Sequence, residues 1–225
     1  MPGPIRAVAF DIIETVFSIE SLRSGLTPLG LPANTLDTWF AASLRDAFAL
    51  AAMDDFAPFR RIMGDALADL LQRHNLPVME NRIAAFLDGM KNLEARPDAD
   101  RAFAMLAQAN LPIVAVSNGA AAATQHLLER AALAPRVQRV FSVDEIGLSK
   151  PRREVYTHVA QSLDLPASAI CLVAAHPWDV HGARSAGLHG AFVSRGQPWP
   201  ASMRRPTMIG DELLDTVEAV LAHTG

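Results

Sequence analysis

Short runs of consecutive apolar residues alternate along this chain with segments whose apolar positions recur at helical spacing. The first run, Ala7-Val8-Ala9-Phe10, stops at Asp11. An unbroken apolar stretch of this length reads as a strand buried on both faces, as in a parallel sheet covered by helices. Comparable runs lie at Pro112 to Ser117, Val137 to Ser142, Ala169 to Ala174 and Gly190 to Ser194. Between and beside them the spacing predicts helices at Arg101 to Ala109, Ala120 to Ala132, Arg153 to Leu163 and Val180 to Ala186. Strand and helix in alternation predict an α/β fold with a doubly wound, Rossmann-like parallel sheet.

The alternation fails once. From Phe17 to Arg96 no strand-like run stands out, and helical patterns fill Leu36 to Met53, Pro58 to Arg73 and Glu80 to Leu93. Leu36, Trp39, Phe40, Ser43, Leu44, Ala47 and Phe48 form one apolar stripe. A crossover between parallel strands usually takes a single helix, and roughly 80 residues is far more than that. The expectation is a helical cap at 17–96 inserted into a core made of 1–16 and 97–225. Gln197 to Pro206 holds three prolines and reads as loop, and Asp211 to His223 reads as a closing helix.

Composition narrows the possibilities. The chain has 225 residues, 50% of them hydrophobic and 20% charged, which excludes a disordered polymer. The net charge of −4 gives no basic footprint for nucleic acid. A single cysteine, Cys171, excludes a disulfide framework and suits a reducing compartment. The apolar runs are far below the ~20 residues of a membrane span. Met1-Pro2-Gly3-Pro4-Ile5-Arg6 lacks the pattern of a signal peptide, so a cytoplasmic location is expected. The histidines do not fall at metal-ligand spacing, and neither a phosphate-binding glycine loop nor a serine-hydrolase elbow is present.

In open parallel sheets ligands bind beyond the carboxyl ends of the strands, at the point where strand order reverses. The polar residues just past the strands are therefore the candidates. They are Asp11 with Thr15, then Ser117 with Asn118, then Lys150, then His176 with Asp179. Carboxylates, an ammonium, an amide and hydroxyls are predicted to converge on one rim.

Four pieces of the sequence carry a resemblance: Phe10-Asp11-Ile12-Ile13-Glu14-Thr15, Val116-Ser117-Asn118-Gly119, Lys150-Pro151 and Trp178-Asp179-Val180-His181-Gly182-Ala183. In order and spacing they look like the four motifs of the haloacid dehalogenase-like hydrolases, over nearly the whole chain. Ser149-Lys150-Pro151 with Tyr156, and Trp178 just before Asp179, are similar to the (S)-2-haloacid dehalogenase branch. The resemblance implies that Asp11 is a nucleophile that forms an ester later broken by water. It implies that Thr15 holds the nucleophile's loop and that Lys150 orients Asp11 and keeps it ionised. Ser117 and Asn118 would bind the substrate carboxylate or the leaving halide, with Trp178 beside them. Asp179 would hold Lys150 or orient the hydrolytic water. Tyr156 either reaches the site or packs in the core.

Several positions depart from the family's pattern. Ile13 and Ala175 stand where phosphatases of the superfamily carry carboxylates for proton transfer and Mg²⁺. Without a metal, one pair of like charges at 4 Å costs ~4 kcal/mol at an effective dielectric of 20, and a phosphate dianion costs more. Attack on a carbon bearing a leaving group is favoured instead, with no cofactor. His176 replaces the branch's usual asparagine and either activates water as a general base or merely caps the loop. Phe40, after Trp39, stands where the branch has a halide-binding arginine. Arg45 is the candidate substitute, with Arg23 and Arg60 behind it; the alternative for each is a solvated surface arginine. The expected function is metal-independent dehalogenation of a short 2-haloacid, an anionic small molecule. The alternatives are a Mg²⁺-dependent phosphatase and a catalytically silent small-acid binding protein. Dimerisation is common in the branch, and the stripe from Leu36 to Phe48 packs either within the cap or across a homodimer.

Overall fold

In the computed structural model, residues 4–224 are described. Met1 to Gly3, part of the N-terminal segment read above, lie outside them. Five apolar runs form strands: β1 (Ala7–Phe10), β4 (Ile113–Ser117), β5 (Val137–Ser142), β6 (Ile170–Ala174) and β7 (His189–Val193). A sixth, β8 (Met208–Gly210), adds to β7. The order across the sheet is β5-β4-β1-β6-β7-β8, and every neighbouring pair is parallel. The chain therefore builds outward from β1 to one side, then crosses back and builds outward to the other. Strand order reverses at β1, flanked by β4 and β6, so the ligand-binding crevice is expected over the end of β1.

Helices cover both faces. They are α5 (Ala99–Gln108), α6 (Ala121–Arg130), α7 (Arg153–Ser162), α8 (Pro177–Ser185) and α9 (Leu213–Leu221). β1, β4, β6 and β7 are buried at every position, as their unbroken apolar runs require.

Between β1 and α5 the chain is mainly helical: α1 (Arg23–Leu26), α2 (Leu36–Ala52), α3 (Phe59–Arg73) and α4 (Glu80–Asp88). Two features differ from the sequence expectation. Two short strands, β2 (Phe17–Ser18) and β3 (Glu94–Ala95), pair antiparallel at the root of this segment. Strands of two residues carry no readable period. The helix expected over Glu80 to Leu93 also tightens into a 3-10 turn at Gly89–Asn92. A Cβ at Gly89 would lie 2.6 Å from the end of the Leu22 side chain, so the turn packs closely against it. The strand missed at β8 follows the proline-rich loop, and its Ile209 is half exposed at the sheet edge.

The apolar stripe of α2 packs inward against α3. Trp39 is fully buried, and its Nε1–H donates to the carbonyl of Met63 at 2.9 Å. One continuous apolar cluster runs from Phe10 and Ile12 at the end of β1 through Phe17 to Trp39, Phe59 and Leu67. The second face of the sheet has its own cluster, around Val116, Phe141 and Tyr156. Cys171 is a buried free thiol within β6. Among the described residues no helix is long and apolar enough to cross a membrane.

Candidate active site

Four strand ends bring the polar residues together. Asp11 follows β1, Asn118 follows β4, and His176 precedes α8 after β6, while Lys150 comes from the loop beyond β5. The Lys150 ammonium donates to Asp11 Oδ1 at 2.8 Å, to Asp179 Oδ2 at 2.6 Å and to the Val116 carbonyl at 3.0 Å. Three acceptors use all three of its N–H bonds. Lys150 is 1% exposed and Asp179 is fully buried, so this is an ion cluster removed from water.

The cluster is completed from behind and from the side. Asp179 Oδ1 accepts from the Tyr156 hydroxyl at 2.5 Å. The Thr15 hydroxyl donates to Asp11 Oδ2 at 2.6 Å and accepts from the Ala175 N–H at 2.9 Å, which ties the turn after β1 to the end of β6. His176 Nδ1 lies 3.0 Å from Asp11 Oδ2. An ionised carboxylate only accepts, so Nδ1 carries a proton in this contact.

Opposing effects fix the charges. Burial pushes the Asp11 pKa up, but the Lys150 ammonium, followed by His176, outweighs it and holds the carboxyl well below the ordinary range. Burial works against the charge on Lys150, yet Asp11 and Asp179 raise its pKa above the usual value. Burial, aided by the negative charge of Asp11, raises Asp179 despite Lys150. Burial and the adjacent Asp179 push the Tyr156 phenol well up. Two carboxylates around one ammonium leave one excess negative charge, and Asp11 is the carboxylate that faces open space.

That space is a narrow pocket of about 20 Å³, walled by Phe40, Leu44, Phe59 and Trp178 with Asp11 and His176 on its floor. Trp178 stacks on the His176 ring at 5.1 Å and takes the edge of Phe48 at 5.0 Å. Phe40 lies 6.2 Å from His176 on the other side. Ser117 and Asn118 also line it. Ser117 Oγ accepts from the Gly119 N–H at 2.9 Å, leaving its hydroxyl proton for a ligand. Asn118 Oδ1 accepts from the Lys150 backbone N–H at 2.9 Å, so its NH₂ is what it offers to the pocket.

Two expected substrate contacts are corrected. Arg45 points away from the pocket and pairs with its neighbour Asp46 at 2.8 Å on the surface. Helical geometry puts it on the face opposite the Trp39 stripe. Tyr156 is 1% exposed and sits beneath Asp179, where it positions that carboxylate and does not line the pocket over Asp11. Of the other arginines considered, Arg23 pairs with Glu20 and Asp37, and Arg60 pairs with Asp88.

One contributor was overlooked. Arg195, at the end of β7, donates through Nη1 to the Glu14 carbonyl and through Nη2 to the Thr15 carbonyl at 2.7 Å. It clamps the turn that carries Asp11 and Thr15, in which Glu14 adopts φ 65°. The strand-end rule, extended to β7, points to it. Phe59 and Leu44 carried no signal beyond helical spacing.

A divalent cation fits this donor set poorly. Both oxygens of Asp179 are taken, an ammonium stands between the two carboxylates, and Ile13 and Ala175 offer no side-chain oxygen. Among the described residues no three His, Cys, Asp or Glu side chains are grouped to hold a metal ion.

The haloacid dehalogenase-like hydrolase family model matches residues 5–187. Among curated proteins, (S)-2-haloacid dehalogenase 1 from Pseudomonas sp. (strain CBS-3) is 27% identical over 194 residues, covering 85% of this chain and 86% of the relative. The solved L-2-haloacid dehalogenase from Xanthobacter autotrophicus superposes with a TM-score of 0.87 at 25% identity, over 96% of this chain and 98% of that one. Another L-2-haloacid dehalogenase structure gives a TM-score of 0.90 at 25% identity, over 97% and 99%.

Proposed function

This chain belongs to the haloacid dehalogenase-like hydrolases, and from that premise we propose that it hydrolyses the carbon–halogen bond of 2-haloacids through an ester on Asp11, without a metal ion. The observation that carries this reading is the charge pattern around Asp11. One carboxylate is held ionised at the floor of a small apolar pocket by a buried ammonium whose remaining bonds are all used. The similarity to (S)-2-haloacid dehalogenases supports the choice of leaving group.

In the first step an oxygen of Asp11 forms a bond to the α-carbon, and the carbon–halogen bond breaks with its electron pair going to the halide. The attack comes from the side opposite the leaving group and inverts the carbon. In the second step water adds to the Asp11 carboxyl carbon, and the bond from that carbon to the substrate oxygen breaks. The products are the 2-hydroxy acid and the free carboxylate. Once the ester has neutralised Asp11, His176 takes the water's proton through Nδ1, the ring nitrogen that faces Asp11, in the tautomer that carries its proton on Nε2. Ser117 and Asn118 hold the substrate carboxylate. The absence of a second acidic side chain at Ile13 and the engagement of Asp11 and Asp179 by an ammonium speak against phosphoryl transfer through a metal ion.

Halide release from bromoacetate, chloroacetate and the two 2-chloropropionate enantiomers, with EDTA present, tests the proposal. Wild type should release halide and Asp11→Asn should not. A single turnover in oxygen-18-labelled water should place the label in Asp11. Activity on phenyl phosphates that EDTA abolishes, or binding of haloacids with no turnover, would overturn the reading.

A further inference from the structure

Ile13, Phe59, Ser117 and Gly119 line the pocket over Asp11 and also a second, larger cavity between the inserted helices and α6. That cavity has a volume of about 360 Å³ and is partly open to solvent. Beyond the shared residues its walls are Met63 from α3, Met90 from the 3-10 turn, and Ala123, Thr124 and Leu127 from α6. Its charged lining is confined to Arg60, Asp88 and Lys91. Asp88 takes both cations, Arg60 at 3.1 Å and Lys91 at 2.7 Å, and all three side chains are about half exposed.

We propose that this cavity receives the hydrocarbon tail of the substrate, so that the enzyme's preferred 2-haloacid carries a medium-length unbranched side chain. The proposal rests on the Asp11-ester reading and names the substrate class for it, extending the short-acid expectation. In any 2-haloacid the carboxylate and the halogen are fixed to the reacting carbon or beside it. Only the third substituent can vary in length. With the carboxylate at Ser117 and Asn118, that substituent has an apolar path over Ile13 and Phe59. Ile13 thereby gains a use: an acidic side chain at this point would sit in the path of the tail. Met63 and Met90 supply walls that adapt to chain length. Two cations sharing one carboxylate leave an excess positive charge near the outside, which draws an anion in.

The test compares kcat/KM along the series bromoacetate, 2-bromobutanoate, 2-bromohexanoate and 2-bromooctanoate. Burial in an apolar cavity should raise kcat/KM by about twofold to fourfold per methylene in wild type. Ala123→Leu fills the cavity from an exposed helical position where leucine is a good helix former. It should lower the ratio of kcat/KM for 2-bromooctanoate over bromoacetate by about tenfold. Met90→Trp fills the same space from the opposite wall and should do likewise. A wild-type ratio that is flat or falls with length, or an unchanged ratio in both variants, overturns the proposal. Octanoate has no leaving group, so its binding is independent of the chemistry. It should raise the wild-type melting temperature more than acetate does, and the two variants should lose that difference. Octanoate protection without halide release from any haloacid would sink the dehalogenase reading and leave the tail site standing. Halide release with no extra protection by octanoate would do the reverse, leaving the cavity a solvent passage only.

Discussion

His176 is the residue on which the second chemical step turns. Its Nδ1–H bond to Asp11 and its place between Phe40 and Trp178 fix the ring without involving it in carbon–halogen cleavage. His176→Asn should therefore keep ester formation and slow its hydrolysis. Rapid-quench measurements should show a burst of about one halide per active site, followed by a steady state slower by roughly 10²-fold or more, with the carboxyalkyl ester on Asp11 visible by intact mass. A loss of the burst itself would deny His176 this role. The ion cluster makes a second prediction. Because the Asp11 pKa is depressed, its ionised form persists as pH falls, so the halide burst should be flat between pH 7 and pH 5. Lys150 has a raised pKa, so its contribution to stability is complete below its unfolded value of about 10.4 and is lost only as pH rises through the folded value. Lys150→Met removes the cation from two buried carboxylates and should cost about 3–5 kcal/mol in urea unfolding at pH 7. The variant should also lack the wild type's alkaline loss of stability. The sequence displayed most of this site, since strand ends at a switch point must carry the ligand chemistry. It could not display the roles of Arg45 and Tyr156, because helical spacing gives a residue's face and not the depth of what lies beneath it.

Elements hold these residues at their distances, and they do so unequally. The turn after β1 is the most heavily tied: Thr15 bonds Asp11 and β6, while Arg195 clamps the carbonyls of Glu14 and Thr15 from the end of β7. Removing the clamp leaves two carbonyls short of a donor in a turn that already holds Glu14 at φ 65°. Arg195→Gln should lower stability by about 1–3 kcal/mol and should lower kcat with little change in KM, since no substrate group touches the guanidinium. Arg195→Lys should recover part of both. A rise in KM with kcat intact would place Arg195 at the substrate instead. The long elements were legible because burial imposes a period on them. β1, β4, β6 and β7 read as unbroken apolar runs, and α2 reads as a stripe through Trp39 and Ala47. The pair β2 and β3 and the edge strand β8 were not legible. Two or three residues cannot express a period, and an edge position such as Ile209 is not forced to be buried.

Across the whole molecule, the pocket exists only while the inserted helices sit on the sheet. Phe40 and Leu44 of α2 wall it, and Phe48 of the same helix rests on Trp178. One polar strap joins the two sides near this point. Arg152, two residues beyond Lys150, donates through Nη1 to the Ala51 carbonyl at 2.8 Å and to Asp54 at the end of α2. The strap therefore links the loop that supplies the ammonium to the helix that roofs the nucleophile. Closing the roof excludes water from the first step, in which a buried carboxylate displaces a halide, whereas the second step needs water to enter. Loosening the strap should thus act oppositely on the two steps. Arg152→Gln should raise KM several-fold and slow the halide burst, and it should speed ester hydrolysis where opening limits it. Asp54 is largely exposed, though Arg152 is less so, and the pair's contribution is modest and screened by salt. Added sodium sulfate should move wild-type KM toward that of the variant and leave the variant's KM nearly unchanged. Stopped-flow Trp fluorescence, reporting the Phe48–Trp178 contact, should show the same convergence in the rate of closure. If the variant and wild type respond to salt alike, the roof is held by its apolar contacts alone and the strap has no part in gating.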